Sequence, residues 1–414
     1  MTTESAKRRA HNVRQAPEPD APITPTDAAQ PKEVAGEKGT EINRYPWYAP
    51  RFWHGMRMRS YAALMARNRF QIHFLGLGPA LAIAGMSGFN SLMYRLQELV
   101  YGRRIREQAL AEPPIFIIGH WRSGTTLLHE LMVRDARFSS PTTYQCFAPH
   151  HFLVTGGFVP WMCQWLLPRR RPMDNMEAGF DRPQEDEFAL CVMDAPTPYL
   201  RMAFPNRPAP YEEFLDMEGV DSDDLARFQH ALTWFFQALT YHHQKRLVLK
   251  SPPHTGRIEF LSKRFPGAKF IHLSRHPYEV YASTLKLWRT LDRNQGFQIP
   301  RYSDAELSEY VLRTFERMYS GYRKQRELIP AEHLIEVKYE ELVQNPARTV
   351  ETIYDELHLN AFDAMRPQLD RFLETQRGYR PTKYSLAKHE TEQINQRWAW
   401  YFKEYGYQPR GLQD

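Results

Sequence analysis

Ile115-Phe116-Ile117-Ile118-Gly119-His120-Trp121-Arg122-Ser123-Gly124-Thr125-Thr126-Leu127-Leu128 is the stretch on which the reading of this 414-residue chain turns. A proline pair, Pro113-Pro114, precedes four apolar residues, a run short enough for a strand buried on both faces. From Thr125 to Val133, Leu127, Leu128, Leu131 and Met132 are spaced to bury one stripe of a helix against a sheet. The loop between them has the spacing of the nucleotide-binding pattern G-x-x-x-x-G-K-[ST], with Thr125 where the lysine normally stands. Small residues let backbone N–H groups converge on phosphate oxygens at a helix N-terminus, where the dipole favours anions. Gly119, Gly124 and the hydroxyls of Ser123, Thr125 and Thr126 suit that task, whereas a plain connecting turn has no need of them. Losing the lysine that reaches the β- and γ-phosphates argues against ATP or GTP, while Arg122 keeps a cation inside the loop.

Downstream the same unit recurs. A helix from Ser222 to Tyr241, opened by the capping-type Ser222 and the acidic Asp223 and Asp224, leads into the strand Leu247-Val248-Leu249-Lys250. Ile258 to Arg264 reads as a helix stopped by Pro266-Gly267, Lys269 to Ser274 as a strand, and Tyr278 to Leu291 as a helix. An amphipathic helix from Asp304 to Leu328, the strand Leu334-Ile335-Glu336-Val337 and a helix from Pro346 to Leu357 follow. Strands alternating with helices predict an α/β fold with a central parallel sheet covered on both faces.

These motifs together resemble the sulfotransferases that use 3′-phosphoadenosine 5′-phosphosulfate (PAPS). The family's 5′-phosphosulfate loop commonly reads R-S-G-T-T-L after a strand, as Arg122 to Leu127 do. Leu273-Ser274-Arg275-His276-Pro277 through Ser283 is similar to the family's 3′-phosphate site, a strand-end arginine with a serine eight residues later. An arginine there forms paired, charge-assisted hydrogen bonds to a phosphate monoester, and a serine two helical turns on adds a hydroxyl. Val337-Lys338-Tyr339-Glu340-Glu341-Leu342 is also typical, so the resemblance spans roughly residues 113 to 357. It implies a P-loop nucleotide-kinase-like three-layer fold, PAPS as sulfuryl donor, and no metal. The implied donor contacts are Arg122, Ser123, Gly124, Thr125, Thr126, Ser251, Arg275 and Ser283. Lys383 to Lys388 resembles a segment that closes over the nucleotide in some members, which adds Lys388.

Sulfuryl transfer needs charge stabilised on the bridging oxygen of the leaving phosphate and a base for the acceptor proton. Lys250 ends its strand at the carboxyl edge, where open α/β sheets place their sites, and it resembles the family's catalytic lysine. With Arg122 it makes the expected electrophilic clamp. The base has two sets of candidates. His254 follows Lys250 by four residues, as cytosolic members carry a histidine shortly after the lysine, though Pro252-Pro253 intervene. Glu185 and Asp186 belong to Asp181-Arg182-Pro183-Gln184-Glu185-Asp186-Glu187, which looks like the Pro-x-Glu-Asp-Glu element of a bacterial subgroup or, more plainly, like a helix N-terminus. The glutamate that tyrosyl-protein members carry has no counterpart near Thr143.

The flanks are read from composition. Residues 1–45, polar and rich in proline without an apolar stretch, read as a disordered tail with no secretory signal. Residues 46–110 form a helical extension before a catalytic domain over 111–414. Trp47 to Phe70 interleaves aromatic and methionine residues with Arg51, Arg57, Arg59, Arg67 and Arg69, a pattern that suits either a membrane surface or a helical cap on the domain. Phe74 to Met93 is the most apolar stretch, but glycines and Pro79 interrupt it, and spanning needs about 20 strongly apolar residues. Residues 158–171 combine Trp161, Met162 and Trp165 with Arg169-Arg170-Arg171, suiting core packing or an acceptor channel with a cationic rim.

Three cysteines without metal-ligand spacing imply neither a disulfide framework nor a zinc site and fit a reducing cytosol. A net charge of +6 suits an anionic small molecule and is too mild for nucleic acid. The acceptor, whether glycan, lipid or another small molecule, and the oligomeric state are left open by the sequence. A kinase of the same loop class needs a loop lysine and a strand-end aspartate for Mg²⁺. A non-catalytic nucleotide-binding scaffold has no need to keep Lys250.

Overall fold

Apolar side chains at 115–118 give both faces of an extended segment something to bury. In the structure, a computed structural model that describes residues 49–167, 178–375 and 385–411, this segment is the central strand β1 (Ile115–Ile118), and all four residues are fully buried. Beside it on one flank runs β3 (Arg246–Lys250), followed by the two-residue β2 (Phe138–Ser139), and on the other run β4 (Lys269–Ser274) and β5 (Leu334–Lys338). The order is β2-β3-β1-β4-β5, every pair parallel. Alternation along β1 divides the core, because Phe116 and Ile118 join one apolar cluster with Leu249 and Phe270 while Ile115 and Ile117 join another with Val248 and Ile271. Helices supply the remainder of both clusters, which makes the three layers.

The β1 register sets Ile117 opposite Lys250, and Ile118 opposite His272 of β4. The carboxyl ends of β3, β1 and β4 therefore reach one edge together, and the loop leaving β1 lies between Lys250 and Arg275. Helix α3 (Thr125–Met132) follows that loop. Other helices are named by their residues.

Local signals place most boundaries within a few residues. One start differs: the helix Ser222–His243 is capped by Asp221, whose carboxylate accepts from the N–H groups of Asp223 at 2.9 Å and Asp224 at 3.3 Å, so Ser222 is its first residue and not its cap. Strand β2 carries no periodicity because two residues cannot show one.

Ahead of the sheet, Trp53 and Met56 are fully buried, and the indole of Trp53 donates to the carbonyl of Gln295 at 2.6 Å. Helices α1 (Met58–Arg67) and α2 (Leu77–Glu107) follow. The apolar stretch does not stop near Met93 but continues as 31 helical residues, since Gly78, Gly85 and Gly88 face open space and interrupt no packing. Among the described residues no helix is long and apolar enough to cross a membrane.

Burial pushes the imidazoles of His120 and His129 down to about 3 and that of His272 down to about 4. An unfolded histidine takes up its proton near pH 6.5 and these three resist it, so their contribution to stability is intact above pH 6.5 and is lost as pH falls through 6.5 towards those values. We predict that at pH 5.5 each costs about 1 kcal/mol relative to neutral pH. Urea unfolding midpoints at pH 7.5, 6.5 and 5.5 check this, and a midpoint that holds or rises at pH 5.5 contradicts it.

Candidate active site

The loop after β1 is shaped by positions that reject a side chain. A Cβ at Gly119, whose φ is 138°, would sit 2.5 Å from the Leu273 carbonyl oxygen. At Gly124, with φ 100°, it would sit 2.1 Å from the ring of Tyr339. Both angles lie where L side chains are strained. The N–H of Gly119 donates to Oγ1 of Thr255 at 2.8 Å, tying the loop to the segment after β3. Ser123 Oγ is buried with no hydrogen-bond partner, and it stands next to the first turn of α3, whose leading N–H groups have no intrahelical acceptor. An orphaned hydroxyl beside a helix N-terminus fits an anionic group such as the 5′-phosphosulfate.

Arg122 adopts a left-handed backbone, φ 70°, held from two sides. Its carbonyl accepts from Nη1 of Arg275 at 2.9 Å, and its own Nε–H donates to Ser283 Oγ at 2.8 Å. The Arg275 guanidinium lies 4.3 Å from the centre of the Tyr339 ring, the same ring that fills the space over Gly124. Arg122, Arg275, Ser283 and Tyr339 thus form one cationic corner. Placing Ala at Gly124 forces Tyr339 away and strains the loop, which we predict weakens binding of adenosine 3′,5′-bisphosphate about tenfold or more. Calorimetric titration checks this, and unchanged affinity contradicts it.

Lys250 ends β3 nearly buried, its Nζ 2.6 Å from Oε1 of Glu185. The other carboxylate oxygen of Glu185 accepts from the Tyr199 hydroxyl at 2.6 Å, and the Trp121 indole donates to that hydroxyl at 2.7 Å. A line of contacts therefore runs from the phosphate loop at Trp121 through Tyr199 and Glu185 to Lys250.

Three consecutive acids meet three different partners. Asp186 and His254 are both fully buried and face each other, Oδ2 to Nε2, at 2.7 Å. Glu187, also fully buried, receives two hydrogen bonds from Arg257, at 2.8 and 3.0 Å, and further ones from Thr197 and from Ser251 at 3.2 Å. Burial alone raises the Glu187 carboxyl, and the Arg257 guanidinium outweighs it and holds the group below its ordinary range. Glu185, just ahead of the helix Asp186–Val192, keeps part of its side chain accessible.

These positions bear on several expectations. His254 and Asp186, read as candidate bases, occupy each other in the interior. Ser251, expected at phosphate, gives its hydroxyl to Glu187. Arg122, expected beside Lys250, directs its Nε–H to Ser283. Lys388 stands exposed on the first turn of the helix Lys388–Arg397, 4.0 Å from Glu392, while Lys383 and Tyr384 lie outside the described residues. Trp161, Met162 and Trp165 are exposed, not core, and Arg169-Arg170-Arg171 lie outside the described residues. Thr125 is buried at the head of α3 and Thr126 follows it. Tyr199, Thr255 and Arg257 were not foreseen. A buried arginine partner could have been sought for the acidic run, but a lone tyrosine 14 residues past Glu185 carries no local signal.

Among the described residues no group of His, Cys, Asp and Glu stands ready to hold a metal ion. A family model described as the sulfotransferase family matches residues 113–364. The omega-hydroxy-beta-dihydromenaquinone-9 sulfotransferase Stf3 of Mycobacterium bovis (strain ATCC BAA-935 / AF2122/97) is 39% identical over 368 residues, covering 89% of this chain and 94% of that protein. The protein of the same name from Mycobacterium tuberculosis (strain CDC 1551 / Oshkosh) matches equally. Among solved structures, sulfotransferase STF9 from Mycobacterium avium has a TM-score of 0.63 at 20% identity, covering 86% of this chain and 98% of that one. STF1 from Mycobacterium tuberculosis H37Rv gives 0.59 at 17% identity, covering 85% and 94%. These two show the fold, and it is the one expected. The family match and the identity to a curated relative settle the class: the chain belongs to the sulfotransferase family and is a sulfotransferase whose sulfuryl donor is PAPS.

Proposed function

We propose that the chain sulfates a hydroxyl of a lipid acceptor, with Glu185 as the base, Lys250 as the cation at the transferring group, and Arg122, Arg275 and Ser283 as the 3′-phosphate site. The observation that carries the base assignment is the hold on Glu185, one oxygen on Lys250 at 2.6 Å and the other on Tyr199 at 2.6 Å, with Trp121 behind Tyr199. Of the three consecutive acids Glu185, Asp186 and Glu187, it brings the one that keeps some access next to the lysine at the carboxyl edge of the sheet.

PAPS, when bound, supplies a sulfuryl group on a 5′-phosphate leaving group. Glu185 takes the proton of the acceptor hydroxyl as its oxygen bonds to sulfur and the bond from sulfur to the 5′-phosphate oxygen breaks. Lys250 stabilises the charge that gathers on that oxygen. The products are the sulfate ester and adenosine 3′,5′-bisphosphate, with the proton left on Glu185 for release to water. Tyr199 and Trp121 are positioning residues that keep the carboxylate aimed.

Support for a lipid comes from the relatives, whose acceptor is by name a hydroxylated menaquinone. The 368 matched residues outrun the family model and reach into the N-terminal extension. Transfer of label from [³⁵S]PAPS tests the reading, with an ω-hydroxylated dihydromenaquinone, a phenol and a disaccharide as rival acceptors. We predict label in the organic phase with the menaquinone lipid, and label only in the water-soluble products overturns the lipid assignment.

A further inference from the structure

Helix α2 carries apolar residues on the side it turns to the outside as well as on the side it packs on the protein. Its inward face is mixed: Ala80, Ile83 and Ile105 join the apolar core beside buried Ser87, Asn90 and Gln97, of which Asn90 donates to the carbonyl of Met56 at 3.0 Å, Gln97 accepts from the N–H of Leu153 at 2.9 Å, and Ser87 bonds within the helix to Ile83. Its outward face carries Leu77, Leu81, Leu92, Leu96, Leu99 and Val100, all exposed, with Leu99 at 84%. A surface helix in water ordinarily turns polar residues outward. From Leu77 to Val100 this apolar face is roughly 35 Å long, and Arg95 is the one charged residue exposed on it. The turn Phe152–Thr155 packs against α2, and the helix Val159–Cys163 a few residues on has no buried residue, with Trp161 82% exposed and Trp165 nearby also exposed.

Charge surrounds the apolar face. Between Arg51 and Glu107 the sequence has nine arginines and two glutamates, a net of +7 against +6 for the whole chain, so the rest of the molecule is close to neutral. Both glutamates are already paired, Glu107 with Arg103 at 2.7 Å and Glu98 with Arg106. Arg59, Arg69, Arg95 and Arg104 are exposed. An exposed apolar face of leucines with arginines around it, on a helix whose other side is packed on the protein and with exposed tryptophans on a second segment, matches a bilayer surface with anionic headgroups.

We propose that the outward face of α2, with the helix Val159–Cys163, docks the enzyme in the plane of an anionic bilayer. The docked element is close to the site. Phe52, in the turn Phe52–Gly55 that packs on α2, stacks on Phe188 with ring centres 3.9 Å apart, and Phe188 lies in the helix that Glu185 heads. Docking stands on this surface and does not depend on the acceptor, though it would present a lipid hydroxyl from the bilayer to Glu185.

Flotation of the full chain with vesicles tests it, using phosphatidylcholine alone and phosphatidylcholine with equal parts phosphatidylglycerol. The expected result is flotation with the mixed vesicles, reduced about tenfold or more by Leu92→Glu with Leu99→Glu. Each of Arg59→Gln, Arg69→Gln and Arg104→Gln should reduce it about fivefold. These side chains are exposed, so titration with adenosine 3′,5′-bisphosphate should be unchanged in every variant, which separates a failure of docking from a failure of the sulfotransferase site. Wild-type protein left behind by the mixed vesicles, or leucine variants that float like wild type, overturns the proposal. So does a dimer in sedimentation velocity that Leu92→Glu with Leu99→Glu dissolves, since a second copy would then be what covers the face.

Discussion

Glu185→Gln lowers kcat by about 10²- to 10⁴-fold, the range for losing a positioned general base, and leaves the affinity for adenosine 3′,5′-bisphosphate nearly unchanged. The glutamine keeps the shape of the side chain and can still accept from Tyr199, but it removes both the capacity to take a proton and the negative charge opposite Lys250. Tyr199→Phe removes one hydrogen bond to Glu185 and none of its basicity, so its loss in kcat is about tenfold and its pH–rate profile keeps the wild-type form. Single-turnover transfer from labelled PAPS measures both. A Glu185→Gln protein that turns over at the wild-type rate assigns proton removal elsewhere and reduces the Lys250 contact to a structural ion pair.

The second large effect is on stability. Arg257→Met leaves Glu187 as a buried carboxylate stripped of its principal partner, and breaking a fully buried pair in this way costs about 3–5 kcal/mol. Thermal unfolding should fall by roughly 6–20 °C at the rate of about 2–4 °C per kcal/mol for a large domain. The pH dependence identifies the cause. In the wild type Glu187 is held below its ordinary range, so its contribution is present above that range and is lost as pH falls through the folded value. Without Arg257, burial acts on Glu187 against only the weaker hold of Thr197 and Ser251 and raises it, so the deficit relative to wild type should shrink as pH falls towards 5. Glu187→Gln in the Arg257→Met background should recover part of the loss at pH 7. A deficit that does not depend on pH, with no recovery in the double variant, shows that Arg257 acts by packing and not by charge.

How much of this was legible in the sequence depends on the range of each interaction. Ile115 to Leu128 could be read because strand, loop and helix each leave a local signature: an apolar run, paired glycines, and a stripe of leucines. Arg275 and Ser283 were legible because one follows a strand and the other lies two turns into the next helix, so their proximity is fixed by local geometry. The acidic run at 185–187 was visible, but the division of labour within it was not. Glu185 meets Lys250 across 65 residues, and Glu187 meets Arg257 across 70, and only the packing of the Asp186–Val192 helix against β3 and the turn after it decides which acid faces which cation. The burial of His254 was not legible either, because it follows from the turn Pro252–Arg257 carrying the ring inward, where Asp186 pairs with it and Phe116 meets it edge-on at 5.5 Å. The outward apolar face of α2 was hidden for a related reason: leucines on a helix that is apolar on more than one side read alike whichever side faces in.

Calorimetric titration with adenosine 3′,5′-bisphosphate, set beside ADP with Mg²⁺ and repeated on Arg275→Ala, tests the central claim most directly. The account predicts binding of the bisphosphate and not of ADP, weakened about 10- to 100-fold by the substitution, as expected for losing charge-assisted hydrogen bonds to a phosphate monoester. Preference for ADP with Mg²⁺, or bisphosphate binding that ignores Arg275→Ala, would contradict it.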